Sequence, residues 1–204
     1  MRAVIISGGE ISDYSYIMAQ ILSTDTIICA DSGYHHAVKM GFIPAIVIGD
    51  FDSAGDIPAN IPCLSFSAQK DQTDTELAIE YAWDKGFRDF LLLGGFGNRI
   101  DHSLTNLLQL MRIHARGGTA ILINENNKVM LTTSSLHLQE PHGTIVSLLP
   151  LSNCHGVTTK NLEYPLANAT LTVGEGRGIS NIMASDDASV SIHEGTLLVI
   201  VAKD

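Results

Sequence analysis

The stretch DFLLLGGFGNRIDHSLTNLLQLMRIHARGGTAILIN (Asp89–Asn124) decides the fold. Its first part, DFLLLGG, is a continuous apolar run closing on two glycines, as expected for a strand covered on both faces. Ser103 to Arg116 predicts a helix, with Leu104, Leu107, Leu108 and Met111 as its apolar stripe and Gly117-Gly118 as its stop. TAILIN then begins a second strand. A strand, a crossover helix and another strand make a βαβ unit, which belongs to a parallel sheet with helices on its faces.

The same alternation extends towards the N-terminus. AVIISG, TIICAD, AIVIGD and CLSFSA are short apolar or β-branched runs with the character of buried strands. Between the last of these and Asp89, Thr73 to Lys85 predicts a helix. Thr73 and Glu76 have capping-box spacing, and Gly86 supplies the stop. After Asn124 the pattern changes. KVMLTTSSLHLQ, TIVSLLPL, HGVTTKNL, ATLTVG, SVSIHEG and TLLVIVAK are strand-like, divided by Gly, Pro and Asn turns, with no helical period. The expected architecture is an α/β domain over 1–124, three-layered and mostly parallel, followed by an all-β, sandwich-like domain over 125–204.

Composition narrows the function classes. With 12 Lys and Arg against 22 Asp and Glu, the formal net charge is -10. Nucleic acid is excluded as a main partner, because binding a phosphate backbone needs a basic surface. The opening apolar run is too short for a signal peptide, and no stretch is long enough to span a bilayer, so no membrane role is expected. Cys29, Cys63 and Cys154 lack metal-ligand spacing and read as reduced thiols of a cytoplasmic protein.

In open α/β sheets ligands bind beyond the carboxyl ends of the strands. Asp31 ends TIICAD, Asp50 ends AIVIGD with Asp52 two residues on, KDQTD (Lys70 to Asp74) follows CLSFSA, and GGFGNRIDH (Gly94 to His102) follows DFLLL. Hard carboxylate oxygens at consecutive strand ends suit magnesium, which binds one or two carboxylates together with substrate phosphates. Asp50, Asp52 and Asp74 are the expected ligands. Asp50 and Asp52 flank Phe51, so an extended loop would point both the same way. GGFGNR lacks the third glycine of a dinucleotide fingerprint, since Ile100 stands there, and no P-loop occurs. Lys70, Arg99 and Arg177 are scarce cations inside these motifs and suit phosphate. His35 and His36 read as ordinary surface or helix residues, and Trp83 as packing.

Together ADSG (Ala30 to Gly33), GDFDS (Gly49 to Ser53), KDQTD, GGFGNRIDH and GRGISN (Gly176 to Asn181) make the chain similar to the thiamin diphosphokinase family. The motifs stand in the family order. The resemblance implies a transferase that moves the diphosphate of ATP to the hydroxyl of thiamin, giving thiamin diphosphate and AMP. It implies Asp31, Asp52, Lys70 and Asp74 as catalytic residues and Asp50, Asp52 and Asp74 as magnesium ligands. Ser32, Gly33, Ser53, Asp71, Thr73, Gly95, Arg99, Asp101 and His102 would lie at the nucleotide, and Arg177, Ser180 and Asn181 at thiamin. It further implies a homodimer with a shared active site, in which ATP is held by 1–124 and thiamin by 125–204. Two other readings of the residues are a magnesium-dependent phosphotransferase releasing ADP and a non-catalytic thiamin- or nucleotide-binding module.

Overall fold

The computed structural model describes residues 1–51, 54–67, 69 and 71–203. Two compact units divide the chain, Met1–Glu125 and Asn126–Asp204.

The first unit contains β1 (Arg2–Ile6), α1 (Tyr14–Met18), β2 (Thr26–Ala30), α2 (Gly33–Lys39), β3 (Ile46–Gly49), β4 (Cys63–Ser65), α3 (Asp74–Asp84), β5 (Asp89–Leu93), α4 (Ile100–Ala115) and β6 (Thr119–Ile123). These strands lie in the order β6-β5-β1-β2-β3-β4, and each neighbouring pair is parallel. The chain builds outwards from β1 to β4 and then crosses back to place β5 on the other side of β1. That reversal is the topological switch point, where the loops leaving β1 and β5 diverge and leave a crevice.

Period-two alternation sends strand side chains to the two faces. Val4 and Ile6 of β1, Ile27 and Cys29 of β2, Val47 of β3 and Leu91 and Leu93 of β5 form one buried cluster with Ile17 of α1 and Tyr34 and Ala37 of α2. Their alternates, including Ile5, Ile28, Ile48, Phe90 and Leu92, are also fully buried. On that face Trp83 of α3 stacks on Phe90 with ring centroids 6.2 Å apart, and the Arg88 and Arg116 guanidinium groups lie 3.9 and 4.0 Å from the Trp83 ring centre. Trp83 is thus a packing residue.

Helix α3 follows the capping pattern closely. Thr73 Oγ1 accepts from the Glu76 N–H at 3.2 Å, and Glu76 Oε2 accepts from the Thr73 N–H at 2.8 Å. Two features differ from the sequence expectation. CLSFSA yields only the three-residue β4, exposed throughout at the sheet edge; its apolar residues reflect β propensity rather than burial. Helix α4 starts at Ile100 instead of Ser103, and its buried residues are Asn106, Gln109, Leu110 and Ile113. Leu104 and Leu108 are 53% and 47% exposed. Polar residues lie on the inward face because they have partners there: Asn106 Nδ2 donates to the Gly95 carbonyl at 2.9 Å and Gln109 Nε2 to Glu76 Oε1 at 3.4 Å. Apolar periodicity alone cannot register a face whose anchors are amides.

The second unit is antiparallel and all-β. β7 (Asn127–Thr132), β9 (Ile145–Pro150), β12 (Asn181–Ile182) and β14 (Leu197–Ala202) form an array in the order β12-β9-β14-β7. β8 (Ser135–Gln139), β10 (Cys154–Lys160), β11 (Ala169–Leu171) and β13 (Asp187–Ser191) form a second sheet, β11-β10-β13-β8. The run KVMLTTSSLHLQ is therefore divided between the two. Alternate residues are buried on both, among them Val146 and Leu148 of β9 and Ala188 and Val190 of β13, giving the sandwich-like arrangement.

The packing of α4 carries a direct expectation. Leu110→Ala should lower the unfolding free energy by about 2–5 kcal/mol in urea titrations, and Thr73→Ala by about 1 kcal/mol through loss of the α3 cap. A loss well under 1 kcal/mol for Leu110→Ala would place that residue outside the core.

Candidate active site

A cavity of about 740 Å³ opens at the carboxyl edge of the parallel sheet. Its wall is built from consecutive strand ends: Ser7, Gly8 and Gly9 after β1, Asp31 and Ser32 after β2, Asp50 after β3, and Gly94 to Arg99 after β5. The start of α3 adds Gln72 to Thr75, and α4 adds His102, Ser103 and Asn106. Asp31, Asp50, Ser32, Thr73, Asp74, Gly95, Arg99 and His102 are thus brought together as the sequence motifs imply. Gly33, Asp71 and Asp101 are not part of the cavity wall. Asp52, Ser53 and Lys70 lie outside the described residues.

Each element of the wall has a local cause. Asp31 is buried and has a φ of 43°, and its N–H donates to Ile48 O at 2.8 Å, which turns the chain sharply out of β2. Gly33 follows because a Cβ there would overlap the Ile6 carbonyl. Phe51 has a φ of 64° while its ring packs against the apolar cluster of α1 and α2. The backbone at Phe51 is therefore left-handed rather than extended, and Asp52, whose alignment with Asp50 the sequence suggests, lies outside the described residues. Left-handed backbone at a bulky residue is strained, and here the packing of the half-buried ring holds it in place.

The β5 loop is held from both sides. Ser103 Oγ accepts from the Gly97 N–H at 3.1 Å and donates to the Arg99 carbonyl at 3.1 Å. Arg99 forms a two-point ion pair with Asp101, at 2.6 and 3.2 Å, and this holds the Asp101 carboxyl down at about 2. Asp101 therefore steadies Arg99 at the cavity rim.

Several wall residues escaped sequence reading. Ser7 Oγ and Thr75 Oγ1 share a buried hydrogen bond of 2.8 Å, which ties the end of β1 to the first turn of α3 beside Asp74. Their signal was the SGG that follows the first strand, the same strand-end rule that located Asp31 and Asp50. His36 was read as ordinary but clamps this loop. Gly9 O can only accept, so His36 Nε2 donates to it at 2.7 Å, and Nδ1 accepts from Tyr14 OH at 2.7 Å. Burial lowers the His36 pKa below its usual 6.5, with the Gly9 bond and Glu125 opposing and Lys39 and His35 reinforcing the shift.

The wall suits a hard cation. Asp31, Asp50 and Asp74 supply carboxylate oxygens to one cavity, and magnesium needs only one or two of these beside phosphate and water. Among the described residues no group of three or more His, Cys, Asp or Glu side chains is placed to hold a metal ion. An open site shared with a phosphate substrate does not require such a group.

Arg177, Ser180 and Asn181 belong to the second unit. Arg177 is exposed, with Nη1 donating to Thr170 O at 3.4 Å. Ser180 is exposed at a φ of 57°, and its N–H donates to Ser147 Oγ at 3.0 Å. Asn181 is buried, and its amide is engaged by the fold: Oδ1 accepts from Tyr164 N and Ile182 N, and Nδ2 donates to Tyr164 O. Its geometry is that of a loop clamp.

His36 carries a pH expectation. A histidine whose folded pKa is lowered adds stability above its unfolded value and loses it as pH falls through about 6.5 towards the folded value. Thermal melts from pH 8 to pH 5 should show a steeper acid loss in the native chain than in His36→Phe. Parallel curves would show that His36 does not act as this clamp.

Comparison with known proteins bears on the family and the fold. A family model described as "Thiamin pyrophosphokinase, catalytic domain" matches residues 18–122, and one described as "Thiamin pyrophosphokinase, vitamin B1 binding domain" matches residues 133–197. A thiamine pyrophosphokinase of Bacillus subtilis (strain 168) is 29% identical over 186 residues, covering 87% of each chain. The crystal structure of a thiamine pyrophosphokinase from Bacillus subtilis matches the whole of both chains with a TM-score of 0.91 at 24% identity. Thiamin pyrophosphokinase from Candida albicans matches 99% of this chain and 90% of its own with a TM-score of 0.78 at 16% identity. At these identities the structural matches establish the fold.

Proposed function

The chain belongs to the thiamin pyrophosphokinase family, and from that premise we propose that it transfers the diphosphate of ATP to the hydroxyl of thiamin, releasing AMP. The observation that carries this reading is the single cavity in which Asp31, Asp50 and Asp74, from separate segments, face the glycine-rich β5 loop and Arg99.

The first unit is the nucleotide side in this reading. The backbone of the β1 and β5 loops approaches the phosphates without intervening side chains, and Arg99 meets their charge at the rim. Asp50 and Asp74 would hold magnesium, which supplies electrostatic neutralisation of the transferred diphosphate. Asp52 and Lys70 join the assignment from the family motifs. The thiamin hydroxyl attacks the β-phosphorus of ATP, the bond to the α-phosphate oxygen breaks, and AMP leaves. The hydroxyl proton passes to a carboxylate, with Asp31 and Asp52 as the two candidates. Positioning and charge neutralisation dominate such a transfer.

Thiamin is assigned to the second unit, where Ser180 and Arg177 lie on the surface. The residues in both units fit a homodimer with a shared active site. In support, Ile100, Leu104 and Leu108 form an i, i+4, i+8 apolar stripe on α4, 74%, 53% and 47% exposed, which a second copy would cover. Free thiols at Cys29, Cys63 and Cys154 fit a cytoplasmic location. No helix among the described residues is long and apolar enough to cross a membrane.

Incubation with thiamin and magnesium-ATP should yield thiamin diphosphate and AMP. ADP as the nucleotide product would replace this reading with single phosphoryl transfer, and tight binding with no turnover would favour a binding module. Asp50→Asn and Asp74→Asn should each lower kcat by about 100-fold or more while circular dichroism stays unchanged. Near-normal activity at saturating magnesium would remove that residue from the ligand set.

A further inference from the structure

Tyr164 is the only Phe, Tyr or Trp in residues 126–204. An isolated aromatic ring in a small all-β unit would ordinarily be buried, since aromatic side chains contribute most to a core. Here the ring is 64% exposed. Among the described residues no aromatic or cation–π contact involves it.

The backbone beneath the ring is rigid. Leu162 and Met183 form an antiparallel bridge, and Glu163 N donates to Ile182 O at 2.9 Å, so Tyr164 falls opposite Asn181. The buried Asn181 amide then takes both main-chain groups of Tyr164, accepting from its N–H at 3.0 Å and donating to its carbonyl at 2.7 Å. Pro165 limits Tyr164 to extended backbone. Beyond it, Leu166 N donates to Thr159 Oγ1 at 2.8 Å, and Thr159 N donates to Leu166 O at 2.9 Å. The fold thus spends a buried amide on presenting one ring to solvent. Ser180, whose N–H is fixed by Ser147, is the residue next to that amide.

We propose that Tyr164 is the aromatic face that binds the thiamin ring system in the second unit and sets its preference for an aromatic cation. This rests on the reading of that unit as the thiamin side. A cationic aromatic ring gains on an electron-rich phenol face both by stacking and by cation–π attraction, and the held backbone removes much of the ordering cost. The exposed Glu163 beside it adds a negative charge of the favourable sign.

The test is steady-state kinetics and calorimetric thiamin binding for the native chain, Tyr164→Leu, Tyr164→Thr and Tyr164→Phe. Leu and Thr should raise KM and Kd for thiamin by about fivefold or more, with kcat and KM for ATP within about twofold, and Phe should restore the native values. Unchanged thiamin constants in the Leu and Thr variants, with native turnover intact, would overturn the role of Tyr164 and leave the enzyme assignment standing. A native chain that neither binds nor turns over thiamin would overturn both. Loss of folding in both the Leu and Thr variants would make the ring a packing element and overturn the proposal as well.

Discussion

Past their last sheet pairs, β1 and β5 continue to hydrogen-bond through their loops. Ser7 N donates to Leu93 O at 2.8 Å, Gly9 N to Gly94 O at 2.8 Å, and Glu10 N to Phe96 O at 2.7 Å. This seam can form only if main chain meets main chain. A Cβ on Gly9 would overlap the carbonyls of Gly94 and Phe96. The cavity floor is therefore backbone, and the side chains that define its chemistry stand around it. Ser7 ties the seam to Thr75 and so to α3, His36 ties it to α2, and Asn106 ties Gly95 to α4. Three helices register on the one place where two loops touch.

The electrostatics follow from that arrangement. A chain of formal net charge -10 is a poor host for a polyphosphate, and the wall itself contributes Asp31, Asp50 and Asp74. Acidic groups help to bind an anion only when a cation stands between them, which is why the carboxylates and the phosphate reading belong together. Arg99 does not carry the burden alone, since Asp101 already balances its charge. The same acidic balance is favourable towards a cationic co-substrate.

Much of this was legible in the sequence, for identifiable reasons. Parallel strands announce themselves as apolar runs because both faces are covered, and the α3 cap announces itself because its two hydrogen bonds need Thr73 and Glu76 at fixed spacing. Strand-end acids were legible because the sheet forces ligands to that edge. The register of α4 was not, because Asn106 and Gln109 turn inward to partners that only the tertiary fold supplies. The left-handed backbone of Phe51 was not, because its ring packs against an apolar cluster assembled from distant strands. His36 was not, because its two partners, Tyr14 and Gly9, come from segments that meet only in the fold. Asn181 is implied at thiamin only by the family motif, and its bonds to Tyr164 and Ile182 were not legible because those partners meet it only in the fold.

Backbone strain separates the functional segments from the scaffold. Among the described residues, five non-glycine positions have positive φ: Asp31, Phe51, Asn161, Asn168 and Ser180. The two asparagines flank the Tyr164 loop and are of a residue type that tolerates this conformation; Asn161 is also held by a tertiary bond, Nδ2 donating to Asp187 O at 2.8 Å. Asp31 shares that tolerance, whereas Phe51 and Ser180 lack it, and left-handed backbone costs about 1–2 kcal/mol at such residues. Each is held by something stronger beside it. Asp31 N is bonded to Ile48 O at 2.8 Å, the half-buried Phe51 packs against the core cluster, and Ser180 N is bonded to Ser147 beside the buried Asn181. Strain held in place by neighbouring bonds and packing is a feature of preorganised sites. By that criterion the end of β2, the end of β3 and the GRGISN turn are one class of feature, although they occur in two different units.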